Sequence, residues 1–96
     1  MPAKSGGGGG GGGAGGGGGG WSDRRLKENI HRIGVSRSGL PIYTFQYIWG
    51  GPVYSGVMAQ DMMRLRPDAV IKTQSGYMKV DYSRIDVKMR IVGASQ

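Results

Sequence analysis

The stretch PIYTFQYIW, from Pro41 to Trp49, alternates two kinds of side chain along its length. Every second residue is aromatic, and these residues share one face: Tyr43, Phe45, Tyr47 and Trp49. Because successive side chains of a strand point to opposite faces of a sheet, the alternation predicts a β-strand with one aromatic face. Residues 50–52 (GGP) interrupt it and the apolar run VYSGVMAQ follows, so we predict an antiparallel hairpin.

A short helix and a second hairpin are predicted after this one. Met58, Met62 and Leu65 lie at helical spacing, and Pro67 marks the end of the helix. The segments DAVIKT and YMKVDY predict two strands, with Gly76 in the turn between them.

The C-terminal segment SRIDVKMRIV predicts a second helix. Ile85, Met89 and Val92 would share one helical face, and Ser83 is the predicted N-cap. Upstream, IHRIGV (30–35) fits a helix or a strand, and its β-branched residues favour a strand. The expected fold class is α+β: two antiparallel hairpins with a short helix between them and a C-terminal helix, preceded by a disordered polyglycine segment.

The glycine-rich segment sets the domain organisation. Fourteen of the 15 residues from Gly6 to Gly20 are glycine, which brings no apolar side chains to a core. We expect residues 1–21 to be a low-complexity linker and residues 22–96 to be one small domain. Packing of the glycines as extended chains in a trimeric fibre stays open as an alternative. A collagen helix is excluded because no G-X-Y period with proline is present.

Composition excludes several classes of site. The 96 residues include no cysteine and one histidine, so we expect no metal site and no cofactor. No apolar run approaches the length of a membrane span, and the first residues, MPAKSGGGG, lack an apolar stretch, so we expect no secretory signal there. The net charge of +7 is compatible with a polyanionic or acidic partner and also with simple solubility. A domain this small has a marginal core, so oligomerisation is expected.

The decapeptide WSDRRLKENI, from Trp21 to Ile30, carries the candidate chemistry. Ser22 is a nucleophile if a base takes its proton, and a neutral Lys27 amine is such a base. Burial or the neighbouring charges of Arg24 and Arg25 would lower the pKa of that amine. Five residues of helix or strand do not bring two side chains together. The pair therefore needs a bend in the chain or a subunit interface.

Four ordered segments resemble a known family: SDRRLKENI, GLPIYTFQYIW, YSGVMAQDMMRLRPDAV and GYMKVDYSRID. They are similar to the endosialidase-type C-terminal intramolecular chaperone domain, the self-cleaving serine peptidase domain of phage tail spikes and tail fibres. The likeness covers Ser22 to about Asp86 and is greatest to the compact bacterial and prophage branch.

The resemblance implies a function. Such a domain promotes assembly of a homotrimeric fibre and then cuts itself off, which implies cleavage between Trp21 and Ser22. Ser22 would be the nucleophile and Lys27 the base, and we hypothesise that Asp23 and Asn29 orient the site. The sequence does not indicate an oxyanion hole. The partners implied are other copies of the chain and, for a fragment, an upstream fibre client. The location implied is the bacterial cytoplasm or the virion.

Two other function classes stay open. The domain could be a non-cleaving trimerisation or capping module of a tail-fibre-like or glycine-rich protein. Alternatively, the positive charge and the aromatic strand fit a nucleic-acid-binding module. We consider nucleic acid the weaker interpretation, because a buried aromatic face explains the strand equally well. We expect no small-molecule ligand and no membrane partner.

Overall fold

A computed structural model describes residues 19–93 of the chain. In that part, two antiparallel sheets and one α-helix surround the core. The strands are, in chain order, β1 (Gly20–Trp21), β2 (Lys27–Val35), β3 (Pro41–Tyr47), β4 (Val53–Gly56), β5 (Val70–Lys72), β6 (Met78–Val80) and β7 (Arg90–Gly93). The helix α1 spans Ala59–Leu65, and short 3-10 helices span Arg24–Leu26, Pro67–Ala69 and Tyr82–Arg84.

The larger sheet contains the aromatic strand at its centre. Its strand order is β2-β3-β4-β7, and each neighbouring pair is antiparallel. Phe45 and Tyr47 on β3 are buried, as the alternation in the sequence predicts. They pack with Leu26, Tyr54 and Met58 into one core cluster. The Phe45 and Tyr47 rings meet edge to face, with centroids 5.5 Å apart, an arrangement that aromatic pairs prefer.

The smaller sheet holds the N-terminal end of the described chain. Its order is β1-β6-β5, and Gly20 lies opposite Val80 while Trp21 lies opposite Lys79. Gly19 precedes β1 with φ of 70°, and a Cβ there would overlap the carbonyl oxygen of Val80. The backbone at Gly19 therefore lies so close to β6 that only glycine fits there.

The helix α1 and its flanking residues join the two sheets. Met62 is buried in a second core cluster with Val57 and Val80, and Met58 belongs to the aromatic cluster. The methionines thus fill the core as their helical spacing predicts. Leu65 shares that spacing but is exposed. Arg66 and Pro67 follow the helix, and the proline begins a 3-10 helix of its own.

The predicted C-terminal helix is wrong. Residues 82–84 form a 3-10 helix, capped by the Asp81 side chain through a hydrogen bond from the Ser83 amide. The segment then becomes strand β7, which pairs with β4. Ile91 and Val92 are β-branched and favour a strand. The fold is accordingly mostly β with one α-helix, not an α+β domain with two. The predicted disordered polyglycine segment ends at Gly20, which instead lies in β1; residues 6–18 of that segment lie outside the described residues.

No helix within residues 19–93 has the length and apolar character needed to cross a membrane. In the same part of the chain, no three metal-binding carboxylate or imidazole side chains cluster closely enough to hold an ion.

Candidate active site

The 3-10 helix Arg24–Leu26 supplies the bend that the Ser22 and Lys27 pair requires. Asp23 caps this helix, and the buried Leu26 side chain anchors its end in the aromatic cluster. The chain then enters β2 at Lys27 and runs away from the site. The two side chains consequently meet within one chain, without a subunit interface.

Ser22 and Lys27 lie together in a buried site. The Nζ atom of Lys27 is 3.2 Å from Ser22 Oγ. Lys27 is 6% exposed and Ser22 is 0% exposed. Both side chains donate to the carbonyl oxygen of Val57, at 3.0 Å from Ser22 Oγ and 2.9 Å from Lys27 Nζ. The Phe45 ring covers the amine, with its centroid 3.9 Å from Nζ.

Burial lowers the pKa of the Lys27 amine well below its ordinary value. The nearby Asp23 carboxylate opposes this effect, and the positive charge of Arg24 adds to it. Loss of hydration disfavours the charged ammonium, so the neutral amine becomes accessible nearer to neutral pH. A neutral lysine beside a serine hydroxyl can accept its proton.

The Tyr82 hydroxyl completes the hydrogen bonding of Ser22. It lies 3.0 Å from Ser22 Oγ and accepts a hydrogen bond of 3.1 Å from the Val57 amide. The single proton of Ser22 goes to the Val57 carbonyl, so Tyr82 donates to Ser22 Oγ. Burial raises the pKa of Tyr82, which keeps this hydroxyl protonated.

The backbone of Ser22 is held on both sides. Its amide donates to the carbonyl of Met78 at 3.1 Å, and its carbonyl accepts from the Ala59 amide, at the start of α1, at 2.8 Å. The preceding carbonyl, that of Trp21, accepts a hydrogen bond of 2.6 Å from the Tyr47 hydroxyl. The Trp21–Ser22 peptide bond therefore has a fixed position beside the serine and the lysine.

Asp23 is buried behind the site and acts as its main hydrogen-bond acceptor. Its carboxylate accepts five hydrogen bonds: two from the Arg25 side chain, one from the Arg25 amide, one from Gln60 and one from the Met78 amide. Burial pushes the pKa of Asp23 upward, but these hydrogen bonds outweigh it and hold the pKa below its usual value. The charged carboxylate ties the Ser22 segment to α1 and β6.

Asn29 does not join these residues. It lies in an irregular part of β2, between Glu28 and His31, and has φ of 53°. Its exposed amide donates to Gln46 at 2.8 Å. No hydrogen bond from Asn29 to Ser22 or Lys27 occurs among residues 19–93.

Sequence reasoning missed three side chains that contact this segment: Tyr47, Gln60 and Tyr82. The sequence predicts Tyr47 only as part of the aromatic face. Each lies at least 20 residues from Ser22 in the chain, and hydrogen bonds join them to the segment 21–24. The only signal in the sequence was their position inside segments that resemble the family.

No curated protein and no solved structure matches this chain. The model of a peptidase family, described as the chaperone of endosialidase, matches residues 22–71. The matched range begins at Ser22 and includes Lys27, Tyr47 and Val57. It covers more than half of the 96 residues. The resemblance found in the sequence is thereby confirmed, and this chain belongs to the family of the chaperone of endosialidase.

Proposed function

We propose that this chain is a C-terminal intramolecular chaperone that promotes homotrimer assembly of a fibre-type protein and then releases itself by cutting its own Trp21–Ser22 bond. The observation that carries the proposal is the buried 3.2 Å contact between Ser22 Oγ and Lys27 Nζ. Residues 22–96 are the proposed chaperone domain, and residues 1–21 are the glycine-rich segment from which it separates.

The first chemical step forms an ester. The Ser22 hydroxyl turns from the Val57 carbonyl and gives its proton to neutral Lys27, while Oγ bonds to the carbonyl carbon of Trp21. The carbonyl oxygen becomes an oxyanion. Its collapse breaks the bond to the Ser22 nitrogen, which takes the proton from Lys27. Because nucleophile and carbonyl are adjacent in one chain, the reaction has the advantage of proximity.

The second step is hydrolysis of that ester. Lys27, neutral again, takes a proton from water, and the water oxygen bonds to the Trp21 carbonyl carbon. The bond to Ser22 Oγ breaks, and Oγ recovers the proton from Lys27. The products are a segment ending in the Trp21 carboxyl group and a domain beginning with Ser22.

Exposed apolar side chains support the proposed self-association. Ile33 on β2 is 59% exposed and Ile91 on β7 is 65% exposed. Val35 and Val92 lie beside them and are exposed as well. These strands are the two edges of the larger sheet, and edge strands present unpaired backbone groups that another chain can bind. Membership in a chaperone family is consistent with self-association or with a fibre client.

A second candidate is a trimerisation or capping module that does not cleave. It is favoured by the direction of the Ser22 hydroxyl, which donates to the Val57 carbonyl and not to Lys27. In this arrangement the serine proton is directed away from the base. Both candidates predict assembly, and they differ in whether the Trp21–Ser22 bond survives.

Intact mass and native mass of the same sample separate the two candidates. We would synthesise the chain in a cell-free system and follow its mass with time. A product beginning at Ser22, absent from Ser22→Ala but present in the exposed control Ser75→Ala, supports self-cleavage. A trimer in which the full-length chain persists contradicts cleavage and supports the capping module. A monomer of either length contradicts the assembly role.

A further inference from the structure

The peptide bond between Trp21 and Ser22 is held at both ends. Its N–H donates to the Met78 carbonyl at 3.1 Å. Its carbonyl oxygen accepts from the Tyr47 hydroxyl at 2.6 Å. Because a trans peptide points its N–H and C=O in opposite directions, β6 and the aromatic strand β3 hydrogen-bond to this peptide group from opposite sides. The Tyr47 contact is shorter than most hydrogen bonds between a hydroxyl and an oxygen.

The geometry points to Tyr47 as a catalytic residue whose hydroxyl donates to the oxyanion that forms on the Trp21 carbonyl. This inference rests on the proposed self-cleavage and adds the group that stabilises its charged intermediate. Oxyanion sites are usually made of backbone amides or polar side chains aimed at the developing charge. Here the phenol of Tyr47, on the central strand β3 of the larger sheet, performs that role.

The surroundings of Tyr47 suit a hydrogen-bond donor that must stay protonated. The residue is 6% exposed, and its ring packs against Phe45, Trp49 and Tyr54. Burial raises the pKa of its hydroxyl, and the neighbouring tyrosines Tyr82 and Tyr54 add to this effect. The packing fixes the ring, so the hydroxyl needs no reorganisation when the carbonyl gains charge.

A competing contact of the same hydroxyl is weaker. The sulfur of Met89 lies 3.5 Å from the Tyr47 oxygen, and a thioether is a poor acceptor. One hydroxyl proton serves one of the two acceptors well, and the closer carbonyl is favoured. Transfer of the Ser22 proton and bond formation at the Trp21 carbon raise the negative charge on this oxygen, so the hydrogen bond strengthens toward the transition state.

Replacement of Tyr47 by phenylalanine tests the inference. Tyr54→Phe is the matched control, because Tyr54 is buried in the same cluster, whereas the hydrogen bond to the Trp21 carbonyl comes from Tyr47. We expect Tyr47→Phe to slow self-cleavage on the order of 100-fold or more, and Tyr54→Phe to leave the rate near that of the parent chain. A folded Tyr47→Phe chain that cleaves at the parental rate overturns the inference and leaves the proposed function standing.

An infrared measurement tests the contact without cleavage. In a Ser22→Ala, Trp49→Phe chain, Trp21 is the one remaining tryptophan, so a carbon-13 label on tryptophan carbonyls reports on this bond alone. Loss of the Tyr47 hydroxyl is expected to move the labelled band to higher frequency, and an unchanged band overturns the contact. If the parent chain never cleaves, self-cleavage fails and Tyr47 loses its catalytic role, whatever the band shows.

A second replacement covers the case in which Tyr47→Phe does not fold. Placing 3-fluorotyrosine at position 47 keeps both ring and hydroxyl, and its more acidic phenol donates a stronger hydrogen bond. In the same labelled chain, the band is then expected at lower frequency than with tyrosine. A band at the same position contradicts the inference.

Discussion

Lys27 Nζ lies 3.2 Å from Ser22 Oγ although the two residues are five positions apart in the chain. The 3-10 helix Arg24–Leu26 between them makes the approach possible, because neither an α-helix nor a strand brings side chains at this spacing together. Its cap, Asp23, is buried and fixed by Gln60 and Met78. The site is thus formed by a local bend and held by contacts with distant elements.

Self-cleavage is expected to become faster as pH rises toward the lowered pKa of Lys27. Below that pKa the amine is protonated and cannot accept the serine proton, so the rate falls about tenfold per pH unit. Above it the rate reaches a plateau. Rates measured by intact mass from about pH 5 to pH 9 would give the profile. Lys27→Met should not cleave, whereas the exposed Lys72→Met should follow the parental profile. Cleavage that does not vary with pH would exclude Lys27 as the base.

The stability of the uncleavable Ser22→Ala chain is expected to rise with pH in the same region. The folded state lowers the pKa of Lys27, so between this pKa and the ordinary value of 10.5 the unfolded chain binds more protons. The free energy of unfolding therefore increases as pH rises through the folded pKa. Urea unfolding at several pH values below about 9 measures the slope. Adding Lys27→Met should reduce it, and an equal slope in both chains would contradict the burial of a neutral amine.

The sequence predicted the parts of the site that lie near one another in the chain. The proposed nucleophile Ser22, the proposed base Lys27 and the need for either a bend or a subunit interface between them all follow from one decapeptide. The aromatic strand followed equally well, since its alternation has the period of a sheet and its buried residues Phe45 and Tyr47 lie on the predicted face.

Contacts between distant segments could not be predicted in this way. Tyr82 reaches Ser22 across 60 positions of the chain, and Tyr47 reaches Trp21 across 26. These contacts form only when the strands pair and α1 docks against them. The prediction of a C-terminal helix failed for a related reason. Residues 85–92 fit a helical period, but the last of them pair with β4 and form a strand.

Replacement of Asp23 by asparagine is expected to destabilise the domain by roughly 1–3 kcal/mol. The carboxylate accepts hydrogen bonds from Arg25, Gln60 and Met78, and an amide group would place a donor against these donors. The folded state lowers the pKa of Asp23 below its ordinary value of 3.8. The stabilisation is therefore fully present above pH 3.8 and is lost as the pH falls from there through the lower pKa of the folded state.

Urea unfolding in the Ser22→Ala background measures the effect of Asp23→Asn. Asp68→Asn is a suitable control, because Asp68 also pairs with an arginine, Arg66, but the pair is exposed and such pairs contribute little. Its unfolding midpoint should stay near that of the parent. Equal midpoints for the two variants would show that the buried carboxylate has no special role.

Replacement of Tyr82 by phenylalanine is expected to slow cleavage roughly 10- to 100-fold. The change removes the donor to Ser22 Oγ and leaves the Val57 amide without its acceptor, so the nucleophile loses part of its orientation. Gly56→Ala should have a similar effect by another route, because a Cβ at residue 56 would lie 2.6 Å from the Tyr82 hydroxyl oxygen. Cleavage at the parental rate in both variants, measured by intact mass, would limit Tyr82 to a packing role.

The position of β1 against β6 is expected to affect the rate of cleavage, although β1 contains neither Ser22 nor Lys27. Gly19 has φ of 70°, and a methyl group there would overlap the Val80 carbonyl, so Gly19→Ala should displace β1. The Trp21 carbonyl would then leave the Tyr47 hydroxyl, and a misplacement of about 1 Å can slow a reaction roughly 100-fold. Gly34→Ala is the control, since a Cβ at residue 34 meets no atom within 4 Å. If Gly19→Ala cleaves as fast as Gly34→Ala, the position of β1 does not matter for the reaction. A selective loss in Gly19→Ala would mean that the last glycines before Trp21 are part of the cleavage site.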